Sequence, residues 1–534
     1  MTNHKALIIG LDGGTWSVLQ PLIDAGYLRH IPALVKRGVS GVLRSTVPPI
    51  TPVAWASFQT GVNPGKHGVM GFENFDRDTK QLDLVTSDSL RVKTLWELVS
   101  DAGRRVIVIN VPLTFPPHPV NGLLVSGMFT PSVRSNYTYP RQLAQEIKTV
   151  IPSYSILKDH EFASDFTGDY TPFLGALANG VGQRAQLAMY LRDRYEWDLL
   201  MVHFQEPDVL QHRLWPHLDR EHPDHDPQAF AQIGRFYAYL DSMVGLLLEG
   251  RRGELFTFLV SDHGFQRHWA TINLNEWLGQ RGYLRLHHAG PRGLPRRLML
   301  LARHLDRLGL RNRLLHRSTK EALLNAVQQN AMVDWSRTSA FSIGRETYGL
   351  IYLTVEEEER EYHRTLLEHD LLSLRDHLTG EQIVVGCRSG KEVYTGAAED
   401  SFIPDLVVIP RPGYTFGTTI GGGKVFQAVT AASRHAGTHH EAGIFVIDGP
   451  GLGVAEPALR ASIMDVAPTV LALMGIPIPT YMDGQVLNCC RLPGDTSPQY
   501  YEEQPREQVA GSAVASQGDE DMVRERLRGL GYLD

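Results

Sequence analysis

The chain has 534 residues, 43% of them apolar and 21% charged, which is the composition of a folded globular protein and excludes a disordered chain, a collagen-like fibre and a coiled coil. Its 52 basic residues against 59 acidic ones leave a net charge of −7, so no nucleic-acid duplex is expected as a partner. No run approaches the ~18 consecutive apolar residues of a membrane span, and the three cysteines, Cys387, Cys489 and Cys490, suggest no disulfide framework.

The chain opens with MTNHKALIIGLDGG, whose apolar stretch, 6–11, is too short for a signal-peptide core. With the sparse cysteines this points to a reducing, cytoplasmic setting. Candidate strands follow at 5–11, 104–111, 197–204, 255–261, 405–410 and 443–449, all short apolar runs bounded by turn residues. Helical patterns lie between them, among them 92–102, 228–249 and 461–474. This alternation predicts an α/β fold with a mostly parallel central sheet covered by helices on both faces. Residues 112–185, rich in Pro, Ser and Tyr, read as an irregular insertion. Residues 1–265 and 431–488 are expected to form a discontinuous core, 266–430 an inserted α+β cap, and 489–534 a polar linker and helical tail. In that tail acids precede arginines, which suits a short helix.

In open α/β sheets the working site lies beyond the carboxyl ends of the strands. The first candidate strand runs into Asp12-Gly13-Gly14, the third into Gln205-Glu206-Pro207-Asp208 with His212 four residues on, and the fourth into Ser261-Asp262-His263-Gly264. A fourth cluster, Gly437-Thr438-His439, leads into the last strand and is expected to reach the site through a loop. Residues at i and i+4 share a helix face, so Asp208 and His212 are placed to hold one ion. Mixed Asp and His donors favour Zn²⁺, with Mn²⁺ or Fe as alternatives. Taken singly, each Asp can equally be a cap and each His a satisfied loop residue; all four clusters together favour metal. Thr51, before Pro52 and an apolar helical start, reads either as an N-cap or as a hydroxyl at a helix N-terminus, where an anion is welcome and a metal can activate it.

These residues resemble a known family. Asp12 in L-D-G-G, Thr51 in T-P-x-x-W-x-x-x-x-T-G, Asp208 and His212 in P-D-x-x-x-H, Asp262 and His263 in S-D-H-G, and His439 in G-T-H look like the alkaline phosphatase superfamily. They look most like its nucleotide pyrophosphatase/type I phosphodiesterase branch. The similarity covers roughly 5–265 and 400–490. The resemblance implies a binuclear hydrolase of phosphodiester or pyrophosphate bonds in a small phosphorylated substrate. Asp12, Thr51, Asp262 and His263 match the metal site that holds the nucleophile. Asp208, His212 and His439 match the second metal site, which activates the hydrolytic water. Thr51 would form a phospho-threonine enzyme. The branch often shows T-F-P-N-H at the nucleophile, where this chain has Thr51-Pro-Val-Ala-Trp. It also places an Asn about twenty residues later on a phosphate oxygen, and Asn74 is the nearest here.

Rival features take plainer readings. His222-Pro223-Asp224-His225-Asp226, with Pro223 before its acids and Pro227 after them, lies in a polar stretch and reads as a solvated loop, and His67 as a packing or hydrogen-bonding residue. Of His435, His439 and His440, the G-T-H pattern selects His439. Residues 291–320 carry nine Arg or Lys and one acid; a solvated helix face is favoured over peripheral membrane contact or an anionic-substrate surface. A sulfatase is disfavoured, because C/S-x-P-x-R is missing. A phosphomonoesterase of the same superfamily and a metal-stabilised binding module without catalysis are the alternatives.

Overall fold

The computed structural model describes residues 4–156, 169–249, 255–287, 333–344, 347–396, 401–420, 424–431, 433, 435–452, 459–488, 497–503, 517–530 and 532. Its centre is a nine-stranded sheet. In chain order the strands are β1 (Lys5–Leu11), β2 (Val39–Arg44), β3 (Val106–Ile109), β4 (Gly122–Val125), β5 (Thr138–Tyr139), β6 (Leu199–Phe204) and β7 (Leu255–Val260). A short pair follows, β8 (Gly264–Arg267) and β9 (Gly437–His440), and then β10 (Ala442–Asp448) and β11 (Leu459–Ser462) complete the sheet. Across it the order is β11-β2-β10-β7-β1-β6-β3-β4-β5. The run β7-β1-β6-β3-β4 is parallel throughout. β10 lies antiparallel between β7 and β2, and β5 is an antiparallel edge.

The apolar runs make central strands because both faces are covered. Side chains alternate with period two. Leu7, Ile9 and Leu11 of β1, with Leu200, Val202 and Phe204 of β6, pack into one core; Ala6, Ile8, Leu199 and Met201 pack into the other. Helices Trp16–Asp24, Thr171–Arg194, Glu206–Leu218 and Pro227–Leu248 cover the first face. Helices Thr51–Thr60, Leu95–Asp101 and Val466–Leu473 cover the second. Each fully buried Leu or Ile contributes about 1.5–3 kcal/mol, so one polar substitution in β1 would be costly. At Gly10 a Cβ would stand 2.7 Å from the Trp55 ring. The glycine lets the helix Thr51–Thr60 press that indole onto the strand that ends at Asp12.

Between β8 and β9 the chain builds a separate core. Ala340–Ile343, Gly349–Leu353, Leu406–Pro410 and Val384–Ser389 form an antiparallel four-stranded sheet packed with the helix Glu357–Leu372. The apolar run at 405–410 is thus a strand, but outside the parallel sheet. Residues 112–185 are less irregular than their composition suggests, since they supply β4, β5 and the start of the helix Thr171–Arg194. In the polar stretch after 488, Tyr500–Tyr501 pairs with Ile478–Pro479, and Gln517–Leu530 is helical. The basic stretch 291–320, Cys489 and Cys490 lie outside the described residues. Among the described residues, no helix is long and apolar enough to cross a membrane.

Candidate metal centre

Three neighbouring parallel strands deliver the acidic residues. Asp12 follows β1, Asp262 and His263 follow β7, and β6 leads into the helix Glu206–Leu218, which carries Asp208 and His212 one turn apart. His439 arrives differently from expectation. It does not hang from a loop but sits in β9, which pairs antiparallel with β8 directly after His263, with Phe265 opposite His439. A Cβ on Gly437 would stand 2.5 Å from the Gln211 carbonyl, so glycine there lets β9 lie against the helix Glu206–Leu218. Thr51 is not the cap of its helix but its first residue; Ile50, in extended backbone, is the cap.

The predicted residues converge. Thr51 Oγ1 is 3.5 Å from Asp12 Oδ1 and 3.5 Å from His263 Nε2. His263 Nε2 lies 3.5 Å from Asp12 Oδ1 and 3.2 Å from Asp262 Oδ2, and the Gly13 N–H donates to Asp262 Oδ1 at 3.1 Å. Asp208 Oδ1 faces His439 Nε2 at 3.2 Å, His212 Nε2 at 3.4 Å and His263 Nε2 at 4.0 Å. The His263 and His439 rings stack at 3.7 Å between centroids. All of these side chains are buried.

Backbone carbonyls set the imidazole tautomers. The Nδ1–H of His212 donates to Gly437 O at 3.0 Å, that of His439 to Pro49 O at 3.0 Å, and that of His263 to Gly264 O at 3.2 Å. Each Nε2 therefore presents a lone pair to the cluster. Those of His212 and His439 face each other at 2.9 Å beside the Asp208 carboxylate. Burial, and next the Asp208 charge, push Asp12 well above its usual range. Burial and then the Asp12 charge do the same to Asp262. Burial drives His263 and His439 down, so they stay neutral. Among the described residues no lysine or arginine pairs with these three carboxylates, and Asp262 Oδ2 has no hydrogen-bond partner.

Bare lone pairs and unpaired carboxylates in a buried space repel each other unless a cation joins them. The donors form two groups whose ligand atoms lie within 4.8 Å of one another: Asp12, Asp262 and His263, and Asp208, His263 and His439. His263 thus stands between the groups rather than in the first alone, and His212 touches the second. This donor set fits a pair of divalent ions.

Asn74 does not join the cluster. Its amide accepts from the Met70 N–H at 3.0 Å and donates to Gly68 O at 2.7 Å, so it braces its own loop. His222 to Asp226 form a largely exposed turn. His440 is turned away, its Nδ1 accepting from the Ala442 N–H. Three residues at the site escaped sequence reasoning. His203 Nε2 and Asp12 Oδ2 lie 2.9 Å apart and share a proton, because His203 Nδ1 already donates to Asn110 O. Trp55 Nε1 donates to Asp12 Oδ2 at 3.2 Å. Tyr532 donates its hydroxyl to Asp208 Oδ2. For His203 a signal existed, a lone histidine near the carboxyl end of an otherwise apolar strand.

His67 is buried beside the helix Thr51–Thr60, donating from Nε2 to Ser57 Oγ at 3.0 Å and accepting at Nδ1 from the Val69 N–H at 3.1 Å. Burial, then the Arg91 charge, push it from the usual 6.5 down to about 3. A histidine lowered on folding stabilises above its unfolded value, and that stability is lost as pH falls from 6.5 toward 3. Between pH 7 and 5 the loss through this residue is expected to be about 2 kcal/mol. Urea midpoints of the protein and of His67→Asn at the two pH values check this; equal pH slopes would refute it.

The family model for type I phosphodiesterase/nucleotide pyrophosphatase matches residues 6–440. Among solved structures, phosphonoacetate hydrolase from Sinorhizobium meliloti 1021 in complex with phosphonoacetate superposes with a TM-score of 0.53 at 15% identity, over 87% of this chain and 94% of that one. Human ectonucleotide pyrophosphatase/phosphodiesterase 5 gives 0.50 at 13%, over 90% of this chain and 97% of that one. At these identities the likeness carries the fold. No curated protein matches the chain significantly.

Proposed function

The chain belongs to the type I phosphodiesterase/nucleotide pyrophosphatase family of the alkaline phosphatase superfamily and is a phosphoester hydrolase; from that premise we propose that it cleaves phosphodiester or pyrophosphate bonds with Thr51 as nucleophile. The family is metal-dependent, and the donor set leads us to zinc, with manganese as the alternative. One observation carries the reading. Thr51 Oγ1 lies 3.5 Å from both Asp12 Oδ1 and His263 Nε2, at the join of the two donor groups.

When bound, the ions supply positive charge that favours the ionised hydroxyl and neutralises the phosphoryl oxygens. The chain's own residues do the rest. The helix Thr51–Thr60 places Thr51 at its positive end, where an anion is welcome. Thr51 Oγ1, its proton given up to water, bonds to phosphorus while the P–O bond to the leaving alcohol breaks. That oxygen keeps the electron pair and takes a proton from water. A second water then bonds to phosphorus, the P–Oγ1 bond breaks, and Thr51 regains its proton. Trp55 and His203 hold Asp12 from behind. His268, Thr347 and Thr415, from the stretch between β8 and β9, line the cavity beside His212 and His439. Their position supports a role for residues 266–430 in choosing the substrate's second substituent.

Comparing bis-p-nitrophenyl phosphate with p-nitrophenyl phosphate on zinc- or manganese-loaded protein tests the proposal. The diester is expected to have the higher kcat/KM. A reversed order would make the protein a monoesterase, and no turnover of either with both ions bound would favour a binding module.

A further inference from the structure

The helix Gln517–Leu530 brings the chain back to the Asp/His cluster from far along the sequence. Val523 and Leu527 are buried and belong to one apolar cluster with Ile50 and Val53, at the start of the helix bearing Thr51, and with Val69 and Phe72 further along the chain. Arg524 Nε meets Glu73 Oε1 at 2.8 Å, and Arg526 donates to the carbonyls of Thr130 and Pro131. Beyond the helix, the Tyr532 N–H donates back to Leu527 O at 2.9 Å, a bond of the kind that ends a helix and redirects the chain. Tyr532 is thereby turned inward and is 6% exposed.

Its two ends do different things. A buried phenol must find an acceptor, and the acceptor is Asp208 Oδ2. That leaves Asp208 Oδ1 for His212 and His439. Carboxylates that bind metal are commonly oriented by such a hydrogen bond. The ring stacks on Phe72, with centroids 4.9 Å apart and planes 15° apart. Together with Phe72 and Ile50 it forms the apolar wall of the cavity that His212 and His439 also line. A tail resting on the surface for stability alone would need neither contact.

We propose that Tyr532 is a positioning and specificity-determining residue of the active site, its hydroxyl fixing Asp208 and its ring limiting the size of the substituent that fits beside Phe72. The inference rests on the reading of Asp208 as a metal ligand. It is tested on the full chain with Tyr532→Phe, which keeps the ring, and Tyr532→Ala, which removes it.

Metal affinity is read by competition with a chromophoric chelator. Substrate size is read as the ratio of kcat/KM for bis-p-nitrophenyl phosphate to that for methyl p-nitrophenyl phosphate, which share a leaving group. Tyr532→Phe is expected to weaken one of two metal equivalents by about 10-fold and to keep the wild-type ratio. Tyr532→Ala is expected to weaken it similarly and to raise the ratio by about 10-fold. Unchanged metal affinity in Tyr532→Phe overturns the positioning role, and an unchanged ratio in Tyr532→Ala overturns the specificity role. Wild-type protein that binds two ions and turns over neither diester would count against the hydrolase reading, while the affinity comparison would still decide the role of the Tyr532 hydroxyl.

Discussion

Thr51→Ala is expected to lower kcat/KM for a diester by about 10⁴-fold while both metals stay bound. The size follows from what is lost. Thr51 Oγ1 lies between the two donor groups, 3.5 Å from a donor of the first and from the histidine common to both. Alanine takes one donor from the first metal position but leaves Asp12, Asp262 and His263 in place, so the ion keeps three protein donors while water must do the work of a positioned oxygen. The fold should hardly notice, since the hydroxyl of Thr51 faces Asp12 and His263 rather than the start of its own helix, whose cap is Ile50. Thr51→Ser keeps the hydroxyl and should keep measurable turnover, slowed because serine lacks the methyl that restricts χ1. Steady-state kinetics paired with elemental analysis decide the matter. Turnover within tenfold of wild type in a fully loaded Thr51→Ala protein would take Thr51 out of the mechanism.

How much of this site could be read before the fold was seen depends on distance along the chain. Asp12, Asp208, His212, Asp262 and His263 stand at strand ends or one helical turn apart, and period and turn signals reach that far. His439 matched by motif, yet its route was misjudged, because the β8–β9 ladder joins Gly264 to His440 across the whole intervening core and long-range pairing leaves no local periodicity. Asn74 shows the opposite error. Counting along the chain from Thr51 took no account of the loop between them, where the Gly68 carbonyl and the Met70 N–H already hold the amide. β4 and β5 were invisible for a simpler reason. At four and two residues they are too short for a pattern and rely on their neighbours. Tyr532 lies 324 positions from the carboxylate it meets, and nothing in GLGYLD announces that contact.

Asp262→Asn is expected to change stability in opposite directions with and without metal, an outcome that a merely structural residue cannot give. In metal-free protein Asp12 and Asp262 are both fully buried, and burial pushes both carboxyls up, helped at Asp12 by the Asp208 charge and at Asp262 by the Asp12 charge, so the ionised state is disfavoured. Asparagine replaces a carboxyl whose ionisation its surroundings oppose with a group that carries no charge at any pH. Its carbonyl oxygen can still accept the Gly13 N–H that Asp262 Oδ1 accepts now. The metal-free variant should therefore melt higher than metal-free wild type, by about 1 °C for each kcal/mol of stability gained in a chain of this length. With zinc present the order reverses. On the proposed reading of Asp262 as a metal donor, an ion stabilises wild type by mass action, and the variant, having exchanged a carboxylate for a neutral amide, gains less. Its metal affinity is expected to fall by at least about 10-fold, the lower end of what even an indirect partner of a metal costs, and its turnover with it. Thermal melts of both proteins after chelation and after zinc is restored give the four values needed. A loss of the same size in both conditions would make Asp262 a packing residue and leave the first metal position without one of its donors.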